Sequence, residues 1–208
     1  MKFASWLVLF GLAASPGRVI NFDAGPVGGT PPDWTPVANR GRAPQWEIRR
    51  DDSAATRPYV LAQVSTESVP DRLPLAILKT MTFRDGDVSV RIKPVSGREV
   101  QGGGLVWRYK DENNYYLVRA SALEKNVAVY KVQSGKRTPL VAVAHRDIPS
   151  NGWSILKVSV RGNRFQIYLD HRRVLQGADN TFTGAGRVGL CTVADSVAYF
   201  DDFRVYPK

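Results

Sequence analysis

The amino-acid sequence predicts an all-β protein, built as a sandwich or a barrel. Two observations carry this prediction: short apolar runs follow one another at regular spacing, and Gly, Pro and Asn separate them. Outside the first residues, no window keeps the 3.6-residue apolar period of an amphipathic helix. No internal repeat or low-complexity linker divides the 208 residues. We therefore predict one domain over 16–208, preceded by a leader.

The predicted leader covers residues 1–15. Lys2 precedes an apolar run over 3–14, and small residues follow it up to Pro16 and Gly17. A positive start, a short apolar stretch and a small-residue exit are typical of a secretory signal peptide. The run is too short to cross a bilayer, which takes roughly 20 apolar residues. We expect an exported protein, periplasmic or extracellular, with no transmembrane segment.

The strands follow in order along the chain. A Pro- and Gly-rich segment over 25–41 predicts irregular structure at a domain edge. Asp87 to Lys93 then alternates strictly, with Val88, Val90 and Ile92 on one face. Further strands are predicted at 104–109, 114–121, 127–133, 156–160, 165–169, 187–193 and 197–205.

Turns and facing side chains follow from the same alternation. A polar four-residue turn at 110–113 would place Tyr109 opposite Asn114, and Gly162 and Asn163 predict a tight hairpin. Counting apolar positions inward places Tyr109 and Tyr130 against the core. Cys191, the single cysteine, lies in an apolar run, is expected to be buried, and allows no intrachain disulfide.

Three segments resemble a known family when taken in order. They read GGGLVWRYKDENNYYLVR over 102–119, FQIYLD over 165–170 and GRVGLCTVADSVAYFDDFRV over 186–205. They are similar to concanavalin A-like (laminin-G-like) domains of secreted bacterial proteins, and within these to the 3-keto-disaccharide hydrolase domains. The resemblance spans 19–205 and implies a jelly-roll sandwich of two antiparallel sheets associated with carbohydrate metabolism. It carries no catalytic residue over to this chain.

Two positions depart from the family pattern. Cys191 stands where these domains often have Trp, and Asp170-His171-Arg172 replaces an Asp-Gly or Asn-Gly turn. The first departure changes packing and the second changes a loop.

A binding face is predicted from the outward positions of four consecutive strands. These positions carry Arg91, Arg108, Arg119 and Lys131, with Tyr115 beside them. Arginine forks bind carboxylate or hydroxyl oxygens, and tyrosine can stack on a sugar ring. The alternative is that alternation simply leaves polar residues on the solvated side.

A metal site is the second candidate. Asp23 lies near the first strand, and Asp201 and Asp202 lie in the last one. The first and last strands of jelly rolls commonly pair, which would bring these oxygens together, and Ca²⁺ prefers six to eight hard oxygen ligands. The alternative is that the aspartates accept hydrogen bonds from loop amides. No cofactor other than a structural Ca²⁺ is expected.

The net charge limits the classes of binding partner to be expected. The chain carries a formal charge of +10. In an exported protein this favours acidic or oxidised glycans and other anionic polymers over nucleic acid. The arginines could equally well only solubilise the outer faces of a sandwich.

Three functions remain open from the sequence. The first is an exported glycan-binding module that uses the exposed face of one sheet. The second, implied by the resemblance alone, is a hydrolase of 3-keto-glycosides or related modified sugars; the third is a non-catalytic surface-interaction domain. Glycosidases on this fold carry paired carboxylates at alternate positions of one strand, and the sequence has no such cluster. If the chain is an enzyme, it cleaves glycosides without that motif.

Overall fold

The computed structural model describes residues 16–208, which form two antiparallel sheets and no helix. The predicted leader over 1–15 lies outside the described residues. The strands are β1 (Arg18–Ile20), β2 (Trp34–Ala38), β3 (Trp46–Arg50), β4 (Tyr59–Gln63), β5 (Pro74–Phe83), β6 (Gly86–Ser96), β7 (Gly102–Asp111), β8 (Asn114–Ser121), β9 (Asn126–Gln133), β10 (Lys136–Val143), β11 (Ser154–Arg161), β12 (Arg164–Leu169), β13 (Arg172–Ala178), β14 (Gly186–Thr192) and β15 (Val197–Pro207). Among residues 16–208 there is accordingly no helix able to span a bilayer.

The two sheets stack as a sandwich with crossing connections. The eight-stranded sheet runs β13-β12-β11-β6-β15-β4-β3, with β1 paired to β15 at its side. The seven-stranded sheet runs β10-β9-β8-β7-β14-β5-β2. The pairing of Arg18–Ile20 with Phe203–Val205 confirms that the first and last strands meet. The hairpin at Gly162 and Asn163 is confirmed as well, since Arg161 opposes Arg164.

The core between the sheets follows the predicted alternation in β6. Val88, Val90 and Ile92 are buried in one apolar cluster with side chains of the opposite sheet. There, Trp107 of β7 stacks on Tyr116 of β8, with ring centroids 5.3 Å apart. Burial of each large apolar side chain contributes about 1.5–3 kcal/mol, so this interface stabilises both sheets.

A second apolar cluster covers the outer face of the seven-stranded sheet. Its strand members come from this sheet alone, and the rest come from the connections beside it: Leu73, Leu75, Ile77, Val100, Val106, Tyr109, Tyr115, Leu117, Val132, Cys191, Val193 and Ala194. Cys191 is fully buried, as predicted. The seven-stranded sheet is therefore buried on both faces over much of its area.

A bulge in β7 changes which side chains face outward. Trp107 opposes Tyr116 but Asp111 opposes Asn114, and the register shifts between them. The extra residues include Arg108, whose φ is 50°. A bulge bends the strand and redirects the side chains at that point. The predicted pairing of Tyr109 with Asn114 is therefore wrong, and Tyr109 joins the outer cluster instead of the core.

Candidate functional site

The predicted binding face is divided between two sheets. Arg91 lies on β6 of the eight-stranded sheet, while Arg108, Arg119 and Lys131 belong to strands of the other sheet. The prediction of one shared patch over four strands is wrong, because the chain crosses the sandwich between β6 and β7. The Arg91 side chain is 36% exposed, and its Nε lies 3.6 Å from the Asp202 carboxylate.

Arg108 is buried, with 2% of its side chain exposed. Its Nη1 and Nη2 each donate to a carbonyl oxygen at 2.6 Å, those of Phe182 and Gly162. Its Nε donates to the Arg84 carbonyl at 3.0 Å, and Nη2 lies 3.1 Å from the Asp85 carboxylate. The predicted exposure of Arg108 is therefore wrong. This guanidinium joins three connections at one end of the sandwich.

Lys131 faces the core side of its sheet, since it lies opposite Tyr116. Its Nζ donates to the Thr181 hydroxyl at 2.8 Å and to the Asp179 carboxylate at 3.3 Å. The Tyr116 hydroxyl donates to the other Asp179 oxygen at 2.6 Å. Burial raises the pKa of Asp179, but hydrogen bonds from Thr181, Tyr116 and Lys131 outweigh it and lower that pKa to about 2. The outward placement predicted for Lys131 is wrong; it anchors a connection.

Tyr115 and Arg119 do lie on the outer face of β8, but both are buried. Tyr115 is fully buried and stacks at a tilt on Tyr109, with ring centroids 5.6 Å apart. Burial raises the pKa of the Tyr115 phenol above its ordinary value. Arg119 is 4% exposed. The predicted face is right for these two residues, and their predicted exposure is wrong.

Two residues that the sequence analysis did not select complete this group. Tyr130 of β9 lies between two guanidinium carbons, 5.9 Å from that of Arg119 and 5.2 Å from that of Arg137 on β10. Arg137 opposes Val132, which in turn opposes Tyr115, so the three share one cross-strand row. We name Tyr115, Arg119, Tyr130 and Arg137 the arginine–tyrosine cluster. The predicted inward placement of Tyr130 is wrong; counting along β9 from the core residues Val127 and Val129 would have placed it on the outer face.

Each arginine of the cluster has one carboxylate partner. Arg119 pairs with Glu124, and its Nη2 also donates to the Asn126 side-chain oxygen at 3.0 Å. Arg137 Nη2 donates to Asp71 Oδ1 at 2.7 Å. Glu124 and Asp71 are respectively 40% and 58% exposed, so both ion pairs open to solvent.

Three buried polar atoms of the cluster have no hydrogen-bond partner. They are the Tyr115 hydroxyl, Arg119 Nε and Arg137 Nη1. An unpaired buried donor costs about 1–3 kcal/mol, and folded proteins rarely leave several such groups together. All three atoms lie below the surface, so a ligand oxygen reaches them only after the side chains above them shift.

A cavity of about 430 Å³ adjoins the cluster at Arg137. We name it the edge cavity; its lining residues are Asn39, Arg40, Asp71, Ser134, Gly135, Lys136 and Arg137. Three cationic side chains thus face one carboxylate, that of Asp71. The cavity carries a net positive charge and favours anionic or oxygen-rich ligands.

The predicted metal ligands are engaged by protein donors instead. The Asp23 carboxylate accepts from the Tyr59 amide at 3.1 Å. The Asp201 carboxylate accepts from the amides of Thr56 and Asp202, each at 2.7 Å. Asp202 Oδ1 and Oδ2 accept from the Arg204 guanidinium at 2.8 and 2.9 Å.

The grouping predicted for calcium is therefore wrong. Within residues 16–208, no three His, Cys, Asp or Glu side chains gather as a group able to hold a metal ion. A calcium site at these aspartates is untested, and the protein donors that already occupy their oxygens oppose it.

Comparison with known proteins gives one curated relative and several similar structures. No protein-family model matches the chain. The chain is 34% identical over 114 residues to a levanase of Bacillus subtilis (strain 168), a match that takes in 54% of this chain. It covers only 16% of the levanase's own length.

The similar structures share the fold at low identity. The carbohydrate-binding module CBM66 of Bacillus subtilis superposes with a TM-score of 0.64 at 24% identity, covering 83% of this chain and 95% of that module. A β-glucanase of Bacillus licheniformis gives 0.61 at 11% identity, covering 93% and 99%. The laminarinase catalytic domain of Thermotoga maritima gives 0.60 at 14% identity, covering 94% and 98%. Membership of the 3-keto-disaccharide hydrolase family stays a prediction, whereas the chain has the concanavalin A-like jelly-roll fold that the resemblance implied.

Proposed function

We propose that this chain is an exported glycan-binding module whose ligand lies across the arginine–tyrosine cluster and the edge cavity. One observation carries the proposal: two guanidiniums flank the Tyr130 ring, and each of them has a buried nitrogen without a hydrogen-bond partner. A saccharide supplies hydroxyl oxygens for such donors and a ring face for the tyrosine. The likeness to part of a levanase and to a carbohydrate-binding module supports the same function.

Charge favours an acidic or oxidised glycan as the ligand. Arg40, Lys136, Arg137 and Arg119 outnumber the carboxylates of Asp71 and Glu124 in this region. A sugar carboxylate can accept two parallel hydrogen bonds from a guanidinium, whereas a hydroxyl accepts with one oxygen. We expect polygalacturonate to bind more tightly than levan, the neutral polymer suggested by the levanase relative.

Titration calorimetry of the full chain with levan and with polygalacturonate tests the proposal. Tyr130→Leu and Arg137→Gln should each weaken binding about tenfold or more, which corresponds to about 1.4 kcal/mol. Arg91→Gln is the matched control, because Arg91 is a partly exposed arginine on the opposite sheet and should leave binding unchanged. Raising the salt concentration should weaken polygalacturonate binding and spare levan binding.

Equal losses in Arg91→Gln and Arg137→Gln would remove the cluster as the site. Absence of heat with both polymers would remove the glycan-binding function. Export is tested separately: the intact mass of protein from the native host should lack residues 1–15 or a leader of similar length.

A further inference from the structure

A second polar pocket is formed by a different set of side chains. It is a cavity of about 540 Å³ lined by Arg42, Ala43, Gln45, Ser65, Thr66, Glu67 and Arg72. We name it the Arg72 pocket. None of these residues belongs to the arginine–tyrosine cluster or to the edge cavity.

The side chain of Arg72 is fully buried, yet it is poorly paired. Its Nη2 donates to the Arg42 carbonyl at 3.2 Å, and its Nε lies 3.4 Å from the Glu67 carboxylate without a hydrogen bond. Both Nε and Nη1 are buried without a hydrogen-bond partner. Burial lowers the pKa of this guanidinium, and Glu67 raises it in part. A buried charge with unused donors is costly unless something outside the protein accepts from it.

Gln63, which is linked to Arg72 through the Ser65 hydroxyl, also has an unpaired acceptor. Gln63 is fully buried, and its Nε2 donates to the Ser65 carbonyl at 3.2 Å and to the Ser65 hydroxyl. Its Oε1 receives no hydrogen bond. Arg72 Nη2 reaches the same Ser65 hydroxyl at 3.5 Å. Arg72 and Gln63 thus both contact Ser65, and each retains at least one unpaired polar atom.

The rim of the pocket adds a second acceptor. The Glu67 side chain is 32% exposed, and its Oε2 accepts from the Arg42 amide at 2.9 Å. Gly41 has a φ of +74°, and a Cβ there would lie 2.8 Å from Glu67 Oε2 and 3.2 Å from Arg72 Nε. Glycine at this position lets the carboxylate and the guanidinium approach each other at the mouth of the pocket.

The mixture of donors and acceptors selects the chemistry of a ligand. A carboxylate or phosphate would satisfy Arg72 and suit the cationic Arg42, but it has no proton to donate to Glu67 and meets the negative charge of that carboxylate. A hydroxyl group both accepts from a guanidinium and donates to an amide or carboxylate oxygen. Neighbouring hydroxyls of one molecule could pair with Arg72 and Glu67 together.

We propose that the Arg72 pocket binds a polyol or a single sugar residue through its hydroxyl groups. Arg72 donates to a ligand oxygen, and Glu67 accepts from a ligand hydroxyl. Because this pocket shares no side chain with the arginine–tyrosine cluster, the proposal is independent of polymer binding there.

Amide and guanidinium NMR of the full chain tests this, with fructose, glucose and glycerol as probes. We expect saturable shifts in residues 63–67 and in the Arg72 Nε–H, with a dissociation constant of about 1 mM for at least one probe. Glu67→Gln should weaken that binding about fivefold or more, since it removes a charged acceptor on a partly exposed side chain. Asp33→Asn is the matched control, because Asp33 is also a partly exposed carboxylate paired with an arginine, that of Arg18, and it should leave the shifts unchanged. Glu67→Gln also avoids the risk that an Arg72 variant fails to fold.

Two outcomes would overturn the proposal. Linear, unsaturated shifts up to about 100 mM of every probe, about a hundredfold above the expected constant, mean that the pocket holds water only. Saturable shifts confined to the arginine–tyrosine cluster place small sugars there instead. In either case polymer binding measured by calorimetry decides separately whether the glycan-binding function stands.

Discussion

The guanidinium carbon of Arg137 lies 5.2 Å from the centre of the Tyr130 ring, on the sheet face that the second apolar cluster covers. Arg119 approaches the same ring from 5.9 Å. Contacts with two cations restrict the conformations open to this ring, which is part of the binding surface that we propose. Such a platform is organised in advance, so ordering it on binding costs little.

Two substitutions of Tyr130 should distinguish the contribution of its aromatic ring from that of its hydroxyl group. Tyr130→Phe keeps the aromatic face and should change the free energy of unfolding and glycan affinity only slightly. Tyr130→Leu removes both cation–π contacts, each contributing about 0.5–1 kcal/mol at a partly exposed site, and should lower stability by about 1 kcal/mol. Urea unfolding of the two variants measures the difference. Equal stability of the Tyr130→Phe and Tyr130→Leu variants would show that the cation–π contacts do not stabilise the folded protein.

Arg108 and Arg91 should respond very differently to the same substitution. Arg108→Gln breaks a buried ion pair and leaves three carbonyl oxygens without their charged donor, so we expect a loss of about 3–5 kcal/mol. Arg91→Gln alters a partly exposed side chain and should stay within about 0.5 kcal/mol. Chemical denaturation of both proteins provides the comparison. A small effect at Arg108 would contradict the burial of its guanidinium.

Asp179 should make the protein sensitive to acid. Its pKa of about 2 in the folded state lies below the ordinary 3.8, so its contribution to stability is complete above about pH 4 and is lost as the pH falls toward 2. The depressed pKa corresponds to about 2 kcal/mol at neutral pH. Asp179→Asn should lower stability at neutral pH, and its deficit should shrink as the pH approaches 2. Asp52→Asn, at a carboxylate that is 77% exposed, is the control and should show no such trend.

Calcium should leave the melting temperature unchanged. The carboxylates of Asp23, Asp201 and Asp202 already accept from amides or from a guanidinium, so a cation would have to displace these donors. Scanning calorimetry with calcium and with a chelator checks this. An upward shift of several degrees in calcium would show that the ion binds the folded chain.

The strands of the eight-stranded sheet were more predictable than the binding face. In β6 one face is solvated, so Val88, Val90 and Ile92 identify the buried face by alternation alone. In β8 every residue after Asn114 is buried, and alternation no longer distinguishes the two faces. The arginine at 119 therefore occupies an outward position without being exposed.

The bulge in β7 and the pairing across the sandwich caused the remaining errors. The register shift in β7 turns Arg108 toward the end of the sandwich and Tyr109 toward the outer cluster. No residue type within 102–111 indicates from the sequence that a bulge forms there. The crossing from β6 to β7 separates Arg91 from the other arginines, although the strands follow each other in sequence. Both features depend on tertiary packing, which local periodicity does not report.

The double burial of the seven-stranded sheet limits how this protein can change during evolution. Substitution of Val106, Leu117 or Cys191 disturbs a packed layer just as substitution in the central core does. Variation should be tolerated better at the half-exposed carboxylates of Asp71 and Glu124 and in the turn before Lys136, all of which border the proposed binding surface. New ligand preferences should accordingly arise by substitutions that change the charge of these border residues, while the sequences of the strands beneath them remain nearly constant.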